Sequence, residues 1–394
     1  MICNGSWRRD KIVFCREIGK LYEDTHSYAF IGRGKKLLTQ PKYVVTWKTL
    51  ILIPIGLAAF LAYIYVFRVD IQDIVAKVQH VNLNFYALTA VAAVLDTFFF
   101  TLAWHSLLRF LKVKVSLFKS FLFVWIGIFV DGLIPAESMS GEVAKIYLVN
   151  KEQDGTAGAA TASVVAQRLI GMSLNVTTLL VGALLLLVES LLFGMMLALI
   201  LFLVVVTFIF LALILLLCVK ENWTFRLVDA VTGFIERISR GHWKLTRLRE
   251  ELVEATKSFH SAMRDYAHAP KTLLTASLFS AASWMFSLTV FYLTFLAIPN
   301  ARISWSAILV VSAIFVALKS IPIGVPFEVG LPEITLSTLL IIFGVPGDIS
   351  ILATILIRLP TFWLRFFVGF AAEQWLGIKA LIARAKGHAE FSQN

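Results

Sequence analysis

The stretch PAESMSGEVAKIYL, residues 135–148, decides how this chain is read. It sets Pro135, Gly141 and three ionisable groups, Glu137, Glu142 and Lys145, inside a sequence that is otherwise overwhelmingly apolar. Hydrophobic residues make up 59% of 394 positions and charged residues 15%, a balance that excludes an ordinary soluble core and requires long apolar spans. Backbone that leaves helix geometry at membrane depth survives only where it lines a protein-buried or wet cavity, so residues 135–141 are expected to line one.

A span needs about 20 apolar residues. Six stretches qualify: 49–67, 83–111, 156–188, 191–219, 271–297 and 348–376. Two more, 116–134 and 304–321, each run into a Pro/Gly/Glu break and then a short helix, 139–149 and 333–343, that cannot cross alone. Each pair is predicted to be a re-entrant hairpin. The expected fold class is an all-α polytopic membrane protein with six full transmembrane helices and two re-entrant helical hairpins.

Charge sets the expected orientation. The arm 1–48 carries ten Lys/Arg against four Asp/Glu, which places it in the cytoplasm. Six crossings then put Lys112, Lys114, Lys151, the 220–270 loop and the 377–394 tail on the same side, so both termini are cytoplasmic in a multi-pass cell-membrane protein. The net charge of +11 is thereby read as membrane orientation, not nucleic-acid binding. Cys3, Cys15 and Cys218 have neither disulfide nor metal spacing. Residues 1–47 are polar, so no cleavable signal peptide is expected. Within 220–270, Leu248, Leu252, Ala255, Phe259, Ala262 and Tyr266 recur at helical spacing after an amphipathic run ending at Ile238, predicting a cytoplasmic helical hairpin.

The two breaks share a register. Pro135 precedes Glu142, and Pro326 precedes Glu333, at the same spacing; Arg168 follows Glu142 by 26 residues and Arg358 follows Glu333 by 25. The chain thus reads as two copies of one unit, 83–188 and 271–376, joined by the span 191–219 and oppositely oriented by the charge count. Such inverted repeats with broken helices hold their site where the copies meet. At 1.5 Å per residue, Arg168 lies about 18 Å from Thr156 and Arg358 about 15 Å from Asp348, so both approach the centre of a core about 30 Å thick. Two guanidinium groups converging on one plane predict an anionic, phosphate-bearing ligand. The candidate binding set is Arg168, Arg358, Lys145, Glu142, Glu333, Gly141, Gly330 and Arg365. Arg365 either extends the cationic track or snorkels. Equally, Glu142 and Glu333 cap their half-helices and neutralise the two arginines in a closed structural network. Asp131 and Lys319 are expected to pair across the halves. Asp96 is a candidate proton carrier or a helix-to-helix hydrogen bonder, and Glu137 and Glu328 are further titratable candidates.

Gly141-Glu142-x-x-Lys145-x-Tyr147-Leu148 followed by Ala166-Gln167-Arg168-Leu169, together with Gly330-Leu331-Pro332-Glu333 and Ile357-Arg358-Leu359, resembles the flippase-like transmembrane region of lysylphosphatidylglycerol synthases and their stand-alone relatives. The resemblance covers about residues 50–376. It implies transbilayer movement of a membrane lipid with an anionic head group, either an aminoacylated phospholipid or a polyprenyl-phosphate-linked sugar, beside a lipid-modifying enzyme or glycosyltransferase. Phe327, Glu328 and Pro332 depart from the second motif, and Glu137 and Ser138 from the first. The sequence has no P-loop, no metal-ligand spacing and no nucleophile-base constellation, so a non-enzymatic flippase without cofactor is expected. A membrane-embedded lipid-phosphate enzyme and a non-transporting scaffold are the alternatives.

Overall fold

The computed structural model describes residues 76–133, 139–189, 194–238, 246–319 and 330–391. The arm 1–48, the span expected at 49–67, and Glu137 and Glu328 lie outside these residues. All regular secondary structure among the described residues is helical. The helices are α1 (Leu83–Phe110), α2 (Leu117–Leu133), α3 (Met139–Glu152), α4 (Ala157–Val188), α5 (Gly194–Val219), α6 (Glu221–Ile238), α7 (Thr246–Ala267), α8 (Pro270–Ala297), α9 (Trp305–Lys319), α10 (Leu331–Ile342), α11 (Gly347–Arg358) and α12 (Leu364–Phe391). Among the described residues, five helical segments are long and apolar enough to cross a membrane: α1, α4, α5, α8 and the run from Gly347 to Gly377.

Two halves, α1–α4 and α8–α12, pack reciprocally. Helix α1 lies antiparallel to its counterpart α8: the Asn82 N–H donates to the Ala297 carbonyl at 2.8 Å, the Phe99 and Phe286 rings stack, and Asp96 meets Ser283. Helix α2 runs antiparallel to α12, with Phe118 on Trp375 and Phe129 between Phe366 and Phe370. The matching pair in the other direction is α9 against α4, where the Ser306 hydroxyl donates to Glu189 at 2.5 Å and Gly182 abuts Leu309 and Val310. First arm on the other half's last helix, in both senses, is the pattern of an internal two-fold. Contacts this close use small residues because helix association in apolar surroundings depends on packing rather than on hydrophobic drive. Hydroxyls inside the spans satisfy themselves on the preceding turn, as Thr97 does on Ala93 and Thr101 on Thr97.

Helices α2 and α3 form a closed hairpin. Asp131, near the end of α2, accepts from the Ser140 hydroxyl at 2.7 Å and the Gly141 N–H at 2.6 Å, while Lys119 pairs with Glu152 at the opposite end. A side chain at Gly141 would strike the Gly127 carbonyl and Asp131, so glycine permits the arms to touch. In the second half, α10 packs against both α9 and α11.

The last span is interrupted by a π turn at Leu359–Trp363. Pro360 is the cause: it has no N–H to give the Leu356 carbonyl four residues back, and its ring pushes that carbonyl aside. The Tyr86 hydroxyl of α1 donates to it instead, at 3.1 Å. The segment expected as a cytoplasmic hairpin is built as α6 and α7, which pack together. Helix α7 is seated on α1 and α4, its Tyr266 hydroxyl donating to the Leu107 carbonyl at 3.0 Å and its backbone crossing Gly158. By contrast α5 exposes Leu201, Phe202, Val205, Phe208 and Ile209 along most of its length. The expected tail 377–394 is helical as far as Phe391.

A methyl group added at Gly369 of α12 would collide with the Trp125 carbonyl and lie 2.8 Å from the Phe129 Cβ, whereas one at Gly171 of α4 meets nothing within 4 Å. Gly369→Ala is expected to lower stability by about 1–3 kcal/mol, and Gly171→Ala to raise it by about 0.5–1 kcal/mol. Thermal unfolding of the two purified variants in detergent reads the opposite signs.

Candidate functional site

Three charged networks are strung along α1. At one level, Arg358 at the end of α11 donates through Nε to Glu333 Oε1 at 2.7 Å, with both side chains only 3–4% exposed. The Phe362 ring, one turn on, covers the guanidinium at 4.5 Å. At the middle level, Arg365 of α12 pairs with Asp96 of α1 and donates to the Ala93 carbonyl at 3.3 Å. The other oxygen of Asp96 accepts from Ser283 of α8 at 2.5 Å. At the third level, Arg168 of α4 donates through Nη1 to Glu142 Oε1 at 2.9 Å. This pair is 28% and 26% exposed and is the accessible one. Beside it, Lys145 is buried with Nζ at 5.3 and 5.2 Å from the Phe100 and Trp104 rings, contacts worth about 2 kcal/mol when desolvated.

Capping chemistry explains where the glutamates sit. Gly330 has φ +99, a conformation open to glycine, and its N–H donates to Glu333 Oε2 at 2.6 Å. Glu333 therefore seals the start of its own helix with one oxygen and neutralises Arg358 with the other. It is the third residue of α10, because Gly330 serves as N-cap and Leu331 opens the helix. In the first half the cap comes from across the hairpin. Asp131 takes the Gly141 N–H, so Ser140 donates to Asp131 instead of capping, helix α3 starts at Met139, and Glu142 is left to Arg168. The N–H groups of Gly141 and Gly330, both in the expected binding set, are thus occupied by carboxylates.

Several sequence-based expectations meet a different arrangement. The two guanidinium groups do not share one site: each closes on the glutamate of its own half. Helix α11 touches α1 at Tyr86 and helix α4 touches it at Phe100 through Gln167 Nε2, 2.8 Å from the Phe100 carbonyl. Fourteen residues of helix, about 21 Å, separate those contacts, and Asp96–Arg365 lies between. Arg365 neither continues a track from Arg358 nor snorkels; the π turn inserts one residue and rotates it by roughly 100°, onto α1. Asp96, expected as a proton carrier or hydrogen bonder, takes both a hydrogen bond and a cation. Asp131 is engaged at the tip of its own hairpin, and the Lys319 side chain lies outside the described residues. Ser283, Gln167, Phe100, Trp104 and Phe362 were not anticipated. Phe362 has a signal, its i+4 spacing from Arg358; the others are matched only across helices.

Some buried polar atoms find no partner among the described residues. Arg365 Nε, Ser280 Oγ and Trp284 Nε1 on and beside the middle network, and Asn175 Oδ1 and Thr354 Oγ1, are buried without a hydrogen-bond partner among the described residues.

The sequence profile of the family described as "Lysylphosphatidylglycerol synthase TM region" matches residues 51–369. A UPF0104 membrane protein of Pyrococcus horikoshii is 23% identical over 330 residues, covering 82% of this chain and 95% of its own length. Another, from Methanothermobacter thermautotrophicus, is 25% identical over 340 residues, covering 84% and 96%. One from Methanocaldococcus jannaschii is 21% identical over 353 residues, covering 88% and 99%.

The two glutamate–arginine pairs differ in what their loss leaves behind. Arg358→Ala strands a buried carboxylate and is expected to cost about 3–5 kcal/mol, most of it recovered when Glu333→Gln is added. Arg168→Ala, in the accessible pair, is expected to cost about 1 kcal/mol or less. Thermal unfolding in detergent checks the order.

Proposed function

Because the chain belongs to the family of the lysylphosphatidylglycerol synthase transmembrane region and is a multi-pass membrane protein, we propose that it moves a phosphate-bearing lipid across the membrane. The observation that carries this reading is the pair of equivalent glutamate–arginine contacts, one in each of two reciprocally packed halves. A guanidinium in low dielectric needs an anion at all times. Glutamate serves when no lipid is present, and a lipid phosphate takes its place by exchange, accepting the same planar donors. Arg168, accessible beside Glu142, receives the head group in one half; Arg358 and Glu333 form the corresponding station in the other. Asp96, Arg365 and Ser283 stand between as the barrier the head group passes, and the unpartnered polar atoms nearby line its wet path.

In this reading the helical hairpins α2–α3 and α9–α10 are re-entrant, the halves are an inverted repeat, and both termini face the cytoplasm. The cargo is a polyprenyl-phosphate-linked sugar or an aminoacylated phospholipid, its chains remaining in the bilayer. A lipid-modifying enzyme or glycosyltransferase supplies or consumes it.

Liposomes carrying the purified protein and a fluorescent phospholipid, with dithionite added outside, test the reading. Wild-type protein should expose the inner-leaflet label, Arg168→Ala should slow this at least tenfold, and Arg168→Lys should retain part of it. Wild-type rates in Arg168→Ala overturn the exchange mechanism. Recovery of a chemically altered lipid would indicate an enzyme, and no movement by wild type would leave a scaffold.

A further inference from the structure

Where α1 ends and α2 begins, an open, shallow cavity of about 460 Å³ is lined by His105, Arg109, Lys112, Lys114, Ser116 and Leu117 among others. Its charge is unbalanced. Arg358, Arg365 and Arg168 each hold a carboxylate, and Lys119, one turn into α2, holds Glu152. Among the described residues no carboxylate pairs with Arg109, Lys112 or Lys114. The dipole at the end of α1 favours one cation in the last turn, which accounts for Arg109 but not for two lysines beyond the helix.

Lys112 is held at a cost. The Val113 N–H donates to the Leu108 carbonyl and the Lys112 N–H to the Arg109 carbonyl, the paired bonds of a Schellman turn, whose αL position is normally glycine. Lys112 occupies it with φ +59, a conformation an ordinary side chain adopts only against strain. His105 is anchored through Nδ1 to Ser120 at 3.0 Å.

Exposed apolar residues adjoin these positions in the chain. Phe110, Leu117 and Phe118 are exposed, and Phe118 meets the exposed Trp375 edge-on at 5.6 Å. An exposed Trp favours the level of the lipid head groups, and the Phe and Leu side chains favour the acyl chains just below it. Exposed lysines beside exposed apolar and aromatic side chains match a phosphate attached to acyl chains, rather than a soluble anion.

We propose that this cavity binds the head-group phosphate of an anionic lipid drawn from the adjoining leaflet, with Lys112 and Lys114 as its principal ligands. The site does not require that lipid cross the membrane, so this proposal and the transport reading fail separately.

The test titrates purified protein in neutral detergent with dioctanoyl phosphatidic acid, dioctanoyl glycerol or inorganic phosphate, following tryptophan fluorescence. Phosphatidic acid should saturate, and the other two should bind at least tenfold more weakly. Lys112→Gly with Lys114→Gln should weaken phosphatidic acid at least tenfold, while Lys119→Gln leaves it unchanged. Lys112→Gly alone should raise Tm while weakening binding, which separates a lost ligand from a damaged fold. The proposal is overturned if the glycerol matches the phosphatidic acid, an apolar patch only; if inorganic phosphate matches it, an adventitious ion only; or if the double variant binds like wild type.

Discussion

A guanidinium in the middle of an apolar span has to carry its counter-charge with it, and much of this molecule's architecture follows from that requirement. Leaving such a charge unpaired costs several kcal/mol where it is fully buried, as at Arg358, and less where it is accessible, as at Arg168, and each arginine favours one particular helix beside it. Arg358 draws α10 against α11 through Glu333, Arg168 draws α3 against α4 through Glu142, and Arg365 ties α12 to α1 through Asp96. Two of these ties act within a half and one acts between halves. The first two define each half as a unit, and the third sets how the units face one another.

Packing completes what charge begins. The arms of the first hairpin approach until a glycine is required at Gly141, with Gly127 tightly packed opposite it, and α2 nests on α12 through Gly369. Backbone irregularity is confined to places where something answers it. The carbonyl that Pro360 orphans is taken by Tyr86 of the other half, so the break in one unit is mended by the other. The same π turn redirects Arg365 onto Asp96. A single proline thus contributes two contacts across the interface, one through a hydroxyl and one through an ion pair.

The sequence made the element boundaries plain because apolar runs and Pro/Gly breaks are local signals: 83–111 became Leu83–Phe110, 156–188 became Ala157–Val188, and 271–297 became Pro270–Ala297. The glutamate–arginine pairs were legible through their matched spacing. What was not legible depended on rotation and on partners distant in the chain. Seven residues between Arg358 and Arg365 imply one face on an unbroken helix, and only the π turn overrides that. Ser283 is an ordinary serine until α1 is laid beside it. Depth counted along a helix put both arginines near one plane, whereas the contacts that their helices make along α1 stand about 21 Å apart, and each arginine has its own partner.

Helix α5 buries little beyond Ile200, Leu203 and Cys218, yet its crossing has an arithmetic role. Helices α1 and α4 run in opposite directions, as the Trp104–Ser163 and Phe100–Gln167 contacts require. Helix α5 returns along α4, ending where His260 of α7 meets the Cys218 carbonyl. That odd third pass is what turns α8 head-to-tail with α1. Without it the second unit would emerge the same way up as the first, and neither Asp96 nor Tyr86 would meet its partner. Such a helix is constrained in length and greasiness but scarcely in the identity of its side chains: it sets parity, and most of its surface is free to drift.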